Sequence, residues 1–132
     1  MTMDKYFSEL IELKNNCYVP YSNFRVACIL YLKNGEKVVG VNVENAAYNP
    51  TICAERCALP QLYAQGYDKE DVDIVTLYTD SESVGTPCGT CRQTMVELLN
   101  KNQEVLIFNK NGFCQKTTVD ELLPYSFTEE QL

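Results

Sequence analysis

A chain of 132 residues with 45% hydrophobic content is long enough for one core that withdraws about two thirds of its unfolded surface from water, so a single domain spanning 1–132 is expected. Acidic residues outnumber basic ones by 18 to 11, and the net charge of −7 offers no footprint for a phosphate backbone, which argues against nucleic acid as a partner. The absence of histidine excludes histidine-based acid–base chemistry, and the opening Met1-Thr2-Met3-Asp4-Lys5 carries no apolar signal core, so a soluble cytoplasmic protein without a membrane span is expected.

Tyr6, Phe7, Leu10, Ile11, Leu13 and Cys17 recur near helical spacing with charges between them, which predicts an amphipathic helix ending before Pro20. Residues 24–32 and 37–44 are rich in strand formers and flank Asn34-Gly35, whose tolerance of positive φ suits a tight antiparallel hairpin. A helix is expected from Pro50-Thr51 to about Gln65, stopped by Gly66, with Pro60 as an internal defect that can bend it. Residues 73–79 predict a third strand, 89–100 a third helix and 105–109 a fourth strand. Asn111-Gly112 then turns the chain into a short fifth strand, a helical turn follows at 119–123, and 124–132 has no clear periodicity. The third strand, third helix and fourth strand predict a right-handed crossover between parallel strands. Together with the hairpins this gives an α/β fold, a mixed sheet covered by helices.

Seven cysteines are an odd count in a chain with no export signal, which argues for metal or reactive thiols over a disulfide framework. Without histidine, a transition metal must draw its strong ligands from cysteine. Two segments carry the chemistry: Thr51-Ile52-Cys53-Ala54-Glu55-Arg56 and, 32 residues beyond Glu55, Pro87-Cys88-Gly89-Thr90-Cys91-Arg92-Gln93. The short loop of a Cys-x-x-Cys pair brings two sulfurs to one centre, Cys53 can add a third, and a fourth position stays open for water. All three cysteines fall at predicted helix N-termini, where the dipole and free amides favour thiolate. Glu55 is the one strong candidate for a carboxylate that takes a proton from such a water and passes it on.

Residues two apart on a helix lie about 200° apart around its axis, so Cys53 and Glu55 serve one site only if the helix end points into it. Three thiolates on a dication leave a net negative charge, which an adjacent Arg56 can draw from sulfur; Arg92 is equally placed in the sequence to share that task. A redox dithiol and a four-cysteine structural zinc site, with Cys57 one helical turn after Cys53 as fourth ligand, remain open. Cys17, Cys28 and Cys114 fall in apolar patterns and are expected to be small core residues.

These segments resemble the short, homotetrameric zinc-dependent cytidine deaminases and, more distantly, the zinc deaminases whose signature is His-or-Cys-x-Glu followed by Pro-Cys-x-x-Cys. Residues 18–24, 42–48 and 122–127 resemble other segments of the same family in the same order. The resemblance implies a three-layer α/β/α arrangement with a mixed five-stranded sheet. It further implies one zinc per subunit on Cys53, Cys88 and Cys91, Glu55 as proton shuttle, and water activated at the metal adding to C4 of cytosine. Phe24, Asn42, Glu44, Tyr48, Ala54 and Phe127 would be nucleoside contacts, with Asn42 and Glu44 on the ribose hydroxyls and Phe24 near the base. The implied assembly is a homotetramer with shared active sites, in which Phe127 covers a neighbour's pyrimidine. The implied activity is deamination of cytidine, and of deoxycytidine, in pyrimidine salvage. Cys28, Pro50, Cys57, Pro60 and Tyr125 depart from the family pattern without removing a ligand or the shuttle. The competing readings are a deaminase for another cytosine-bearing compound, such as a nucleoside antibiotic, and a zinc-stabilised binding module.

Overall fold

Asn34 and Gly35 turn the chain between β1 (Val26–Leu32) and β2 (Lys37–Val41), an antiparallel hairpin in which Ile29 faces Val39. Here the computed structural model describes every residue, Met1–Leu132. The other edge of β1 pairs antiparallel with β3 (Val72–Thr79), placing Ile29 opposite Thr76. β3 runs parallel to β4 (Glu104–Asn109), which returns antiparallel as β5 (Gly112–Thr118). The result is a mixed five-stranded sheet in the order β2-β1-β3-β4-β5.

The helices are α1 (Met3–Lys14), α2 (Ala54–Ala64), α3 (Gly89–Leu98) and the single turn α4 (Val119–Leu122). Alternation along the strands divides the sheet into two faces. Cys28, Leu30 and Leu32 of β1 with Val75 and Leu77 of β3 join Leu59, Leu62, Met95 and Leu122 in an aliphatic core beneath α2, α3 and α4. Ala27, Ile29 and Tyr31 of β1 with Tyr78 and Phe108 meet Tyr6 and Leu10 of α1 in a smaller, aromatic core on the opposite face. The three-layer α/β/α arrangement follows from this division.

Strand direction explains how distant parts of the chain converge. β2 and β3 each run antiparallel to β1, which lies between them, so they point the same way. The segments leaving β2 and β3 therefore exit at one end of the sheet and start α2 and α3 side by side there. Close packing of α2 on the sheet depends on Gly40 of β2, where a Cβ would sit 2.3 Å from the Ala54 carbonyl oxygen and 2.6 Å from the Ala58 nitrogen. α2 ends in a Schellman motif. Gly66, at φ +89°, donates to the Tyr63 carbonyl and Tyr67 to that of Leu62, a backbone shape a Cβ would strain.

Several boundaries differ from the sequence expectation. α1 stops at Lys14, short of Cys17, and β1 starts two residues beyond Phe24. β2 ends at Val41 because Val43 leaves the sheet to bridge Tyr18 and Ile52. That bridge keeps Pro50, Thr51 and Ile52 out of α2, and the helix begins only at Ala54. It continues through Pro60, which is exposed, to Ala64. β5 is not short: its seven residues equal β1 in length. The tail forms a 3-10 turn at Glu129–Gln131, capped by Thr128. Only Cys28 is buried as a small core residue; Cys17 and Cys114 are half-buried, and the Cys17 thiol donates to the Val26 carbonyl at 3.2 Å.

Candidate metal centre

Cys53 and Cys88 are the N-cap residues of α2 and α3, and Cys91 sits in the first turn of α3. Their sulfurs lie within 4.8 Å of one another, bringing Cys53 together with a pair that lies more than thirty positions further along the chain. Cys53 has extended backbone, φ −77° and ψ 157°, and so stands outside the helix that carries Glu55. The 200° separation of an ideal helix therefore does not apply to this pair, and one helix end serves both residues.

The donor set fits zinc. Three sulfurs on two helix N-termini can share a tetrahedral centre and leave one position open. A hydrogen bond from Cys91 lowers the Cys53 thiol to about 5, assisted by the Arg56 guanidinium. The same bond, with burial, raises the Cys91 thiol, and a metal that takes all three cysteines as thiolates displaces their protons. Cys57 lies outside the cluster, its sulfur accepting from Gln61 Nε2 at 3.6 Å, which leaves a four-cysteine site without its fourth ligand.

Glu55 is 5% exposed and lines the same cleft as the three cysteines. Burial pushes its carboxyl above the usual range and the Cys53 charge adds to this, while its own backbone amide, the Cys91 thiol and Arg56 oppose the rise. Arg56 points Nη2 at the Cys53 sulfur, 3.7 Å away, and at the Thr51 carbonyl at 3.5 Å. Arg92, equivalent to Arg56 in the sequence reading, is committed elsewhere: it donates to Pro87 O at 2.7 Å, Thr86 Oγ1 at 2.7 Å and Leu122 O at 2.6 Å.

The cleft gathers Phe24, Asn42 and Glu44 beside the cysteines. Asn42 is fixed by two backbone partners, accepting from Val26 N at 3.0 Å and donating to Phe24 O at 2.8 Å. Glu44 accepts from the Tyr21 and Ser22 amides at 3.1 Å each and from the Ser22 hydroxyl, and the hydroxyl bond leads the effects that lower its pKa. Three of the other expected contacts stand apart from the cleft. Ala54 is wholly buried against Gly40, Tyr48 is 92% exposed on the rim, and the Phe127 ring is 56% exposed, with its carbonyl held by Gln93 Nε2 at 2.9 Å. Leu77, Thr79, Gly85 and Thr86 also line the cleft and were not singled out from the sequence; the place of the first two at the end of β3 and of the other two just before Cys88 was the available signal.

The family described as the cytidine and deoxycytidylate deaminase zinc-binding region matches residues 1–107. A cytidine deaminase of Halalkalibacterium halodurans is 42% identical over 94% of this chain and 92% of its own length, and one of Sporosarcina psychrophila is 36% identical over 100% and 96%. The crystal structure of cytidine deaminase from Burkholderia pseudomallei superposes with a TM-score of 0.90 at 35% identity, covering 96% of this chain and 100% of that one. The sheet, the clustered cysteines and these likenesses agree, and the chain belongs to the cytidine and deoxycytidylate deaminase zinc-binding family.

Proposed function

We propose that this chain, as one catalytic domain, converts cytidine and water to uridine and ammonia, and acts likewise on deoxycytidine. The observation that carries the reading is the meeting of three sulfurs within 4.8 Å beside a buried glutamate in one cleft. The relatives named cytidine deaminase, similar over nearly the whole chain, support the same substrate class. When bound, one zinc per chain supplies a Lewis acid that brings the pKa of water at its open position down to about 7.

Cys53, Cys88 and Cys91 would hold that metal, while Arg56 draws negative charge from the Cys53 sulfur. Glu55 takes the proton of the attacking water and delivers it to N3 of cytosine, then helps the amine at C4 leave as ammonia. Its raised pKa suits both halves of that transfer. Asn42 and Glu44 would receive the ribose. Tyr21 and Ser22 use three of the acceptor sites on the Glu44 carboxylate and leave one for a hydroxyl. Phe24 would pack on the base, with Tyr48 and Ala54 as further contacts.

We further propose a cytoplasmic homotetramer acting in pyrimidine salvage, in which Phe127 covers the pyrimidine of a neighbour. Support for the shared site comes from the exposed Phe127 ring on an anchored backbone and from the open cleft beside Phe24. No helix is long and apolar enough to cross a membrane.

Ammonia release measured on cytidine, deoxycytidine and cytosine tests the substrate, with cytidine expected to be fastest. Turnover of none of the three would refute the reading in favour of another cytosine-bearing compound or a binding module. Mixing Phe127→Ala with Glu55→Gln subunits tests the shared site. Activity above the sum of the two parents is expected, and no gain would place Phe127 and Glu55 in a site formed within one chain.

A further inference from the structure

Residues 84–87, which lead into Cys88, make no hydrogen bond with the rest of the protein except those received from Arg92. The guanidinium takes the Pro87 carbonyl through Nε and the Thr86 hydroxyl through Nη2, each at 2.7 Å. Its remaining arm, Nη1, reaches across to the Leu122 carbonyl at the end of α4, 2.6 Å away. Gln93, the next residue, holds the tail again at the Phe127 carbonyl. Two consecutive side chains beyond Cys91 thus fasten the loop before Cys88 on one side and both ends of residues 122–127 on the other.

We infer that Arg92 is the positioning residue of the metal centre, acting through the shape of its fork to seat the loop that presents Cys88 and to tie that loop to the base of the C-terminal tail. A planar guanidinium has donors in fixed directions and can satisfy three acceptors at once, whereas an ammonium is a point charge on a flexible stem. Arg92 differs in this from Arg56, which faces a sulfur directly. Because one side chain holds both segments, seating the loop also orders the tail, and loosening either frees the other. The same coupling links the Phe127 segment, which follows α4, to the loop that presents Cys88.

This inference rests on the three-cysteine zinc reading, and zinc transfer to a colorimetric chelator tests the two separately. Zinc-loaded Arg92→Lys and Arg92→Gln should both release metal about 10- to 100-fold faster than the wild type, the range typical for partners that orient metal ligands. Hydrogen exchange should show lost protection in both at the Leu123 and Thr128 amides, which are bonded to Val119 O and Gln131 Oε1. A wild-type release rate in Arg92→Lys, with a faster one only in Arg92→Gln, would overturn the inference in favour of a charge effect. Unchanged release in both would overturn it outright, while a wild-type protein that binds no zinc would overturn the site reading as well. Should either variant fail to fold, Thr86→Val removes a single acceptor and keeps Arg92. Zinc release several-fold faster is expected there, and an unchanged rate would again refute the role.

Discussion

The two faces of the sheet are built on different principles. Beneath α2, α3 and α4 the core is aliphatic and dry, and its work is geometric: it fixes where two helix N-termini end. Beneath α1 the core is aromatic, with Tyr6 edge-on to Tyr31 at 4.9 Å and Phe7 stacked on Phe108 at 6.2 Å, and its tyrosines carry polar tips. The Tyr31 hydroxyl donates to Glu9 at 2.6 Å, while Tyr78, Lys14 and Asp80 form a network whose other side clamps Arg25. Chemistry thus sits at the end of the aliphatic face, where the titrating groups are those of the cleft itself, and the charged network of Lys14, Tyr78 and Asp80 sits on the other. Substitutions on each face should separate activity from stability.

The largest effect is expected at the cleft. Glu55→Gln should lose roughly 10² to 10⁴ in turnover, the cost of removing a proton shuttle, while zinc content and melting temperature stay near wild type. Steady-state rates beside metal analysis check this, and near-normal turnover would remove Glu55 from the mechanism. Leu62→Ala, in the dry core, should cost about 2–5 kcal/mol of stability by leaving a cavity under α2. Denaturant unfolding measures it. A cost well below that range would mean the aliphatic face is looser than its packing implies.

The smallest of the three effects belongs to the aromatic face and depends on pH. Burial alone would raise the Asp80 carboxyl, but the Arg25 amide, the Tyr78 hydroxyl and the Lys14 ammonium outweigh it and hold the group below the usual carboxylate range. A depressed carboxyl contributes stability above its unfolded pKa, and that contribution fades as pH falls through the folded value. Asp80→Asn should therefore cost about 1.5–3 kcal/mol near neutrality, the range for hydrogen bonds to a charged group, and progressively less in acid. Unfolding curves from pH 7 down to about pH 3 would show the gap closing. A gap independent of pH would mean that the Asp80 charge contributes nothing.

How much of this was legible in the sequence depended on the range of the interaction. The hairpin at Asn34-Gly35, the runs of strand formers at β1 and β3 and the cysteine spacing are local signals, and the expected sheet and three-sulfur cluster follow from them. The start of α2 misled because Pro50 and Thr51 look like a proline-first helix turn. Val43 competes for that segment, exchanging two backbone hydrogen bonds with Ile52 at 3.0 Å each, and this long-range pairing holds the chain extended as far as Cys53. Arg92 was indistinguishable from Arg56 for the same reason. Its acceptors are two carbonyls and a hydroxyl, one of them thirty residues away on α4, and backbone carbonyls leave no mark in a sequence.

Gly40 carries a lesson for anyone who maps this protein by saturation mutagenesis. It touches no part of the cleft, yet the smallest side chain there would meet the Ala54 carbonyl at 2.3 Å, and the obstacle is backbone that cannot rotate away. The first turn of α2 would have to yield, taking Cys53 and Glu55 with it. A screen scored only by catalytic output would group this strand glycine with the cleft residues. Position 40 would then be mistaken for a substrate contact, although what it governs is the spacing between a sheet and a helix.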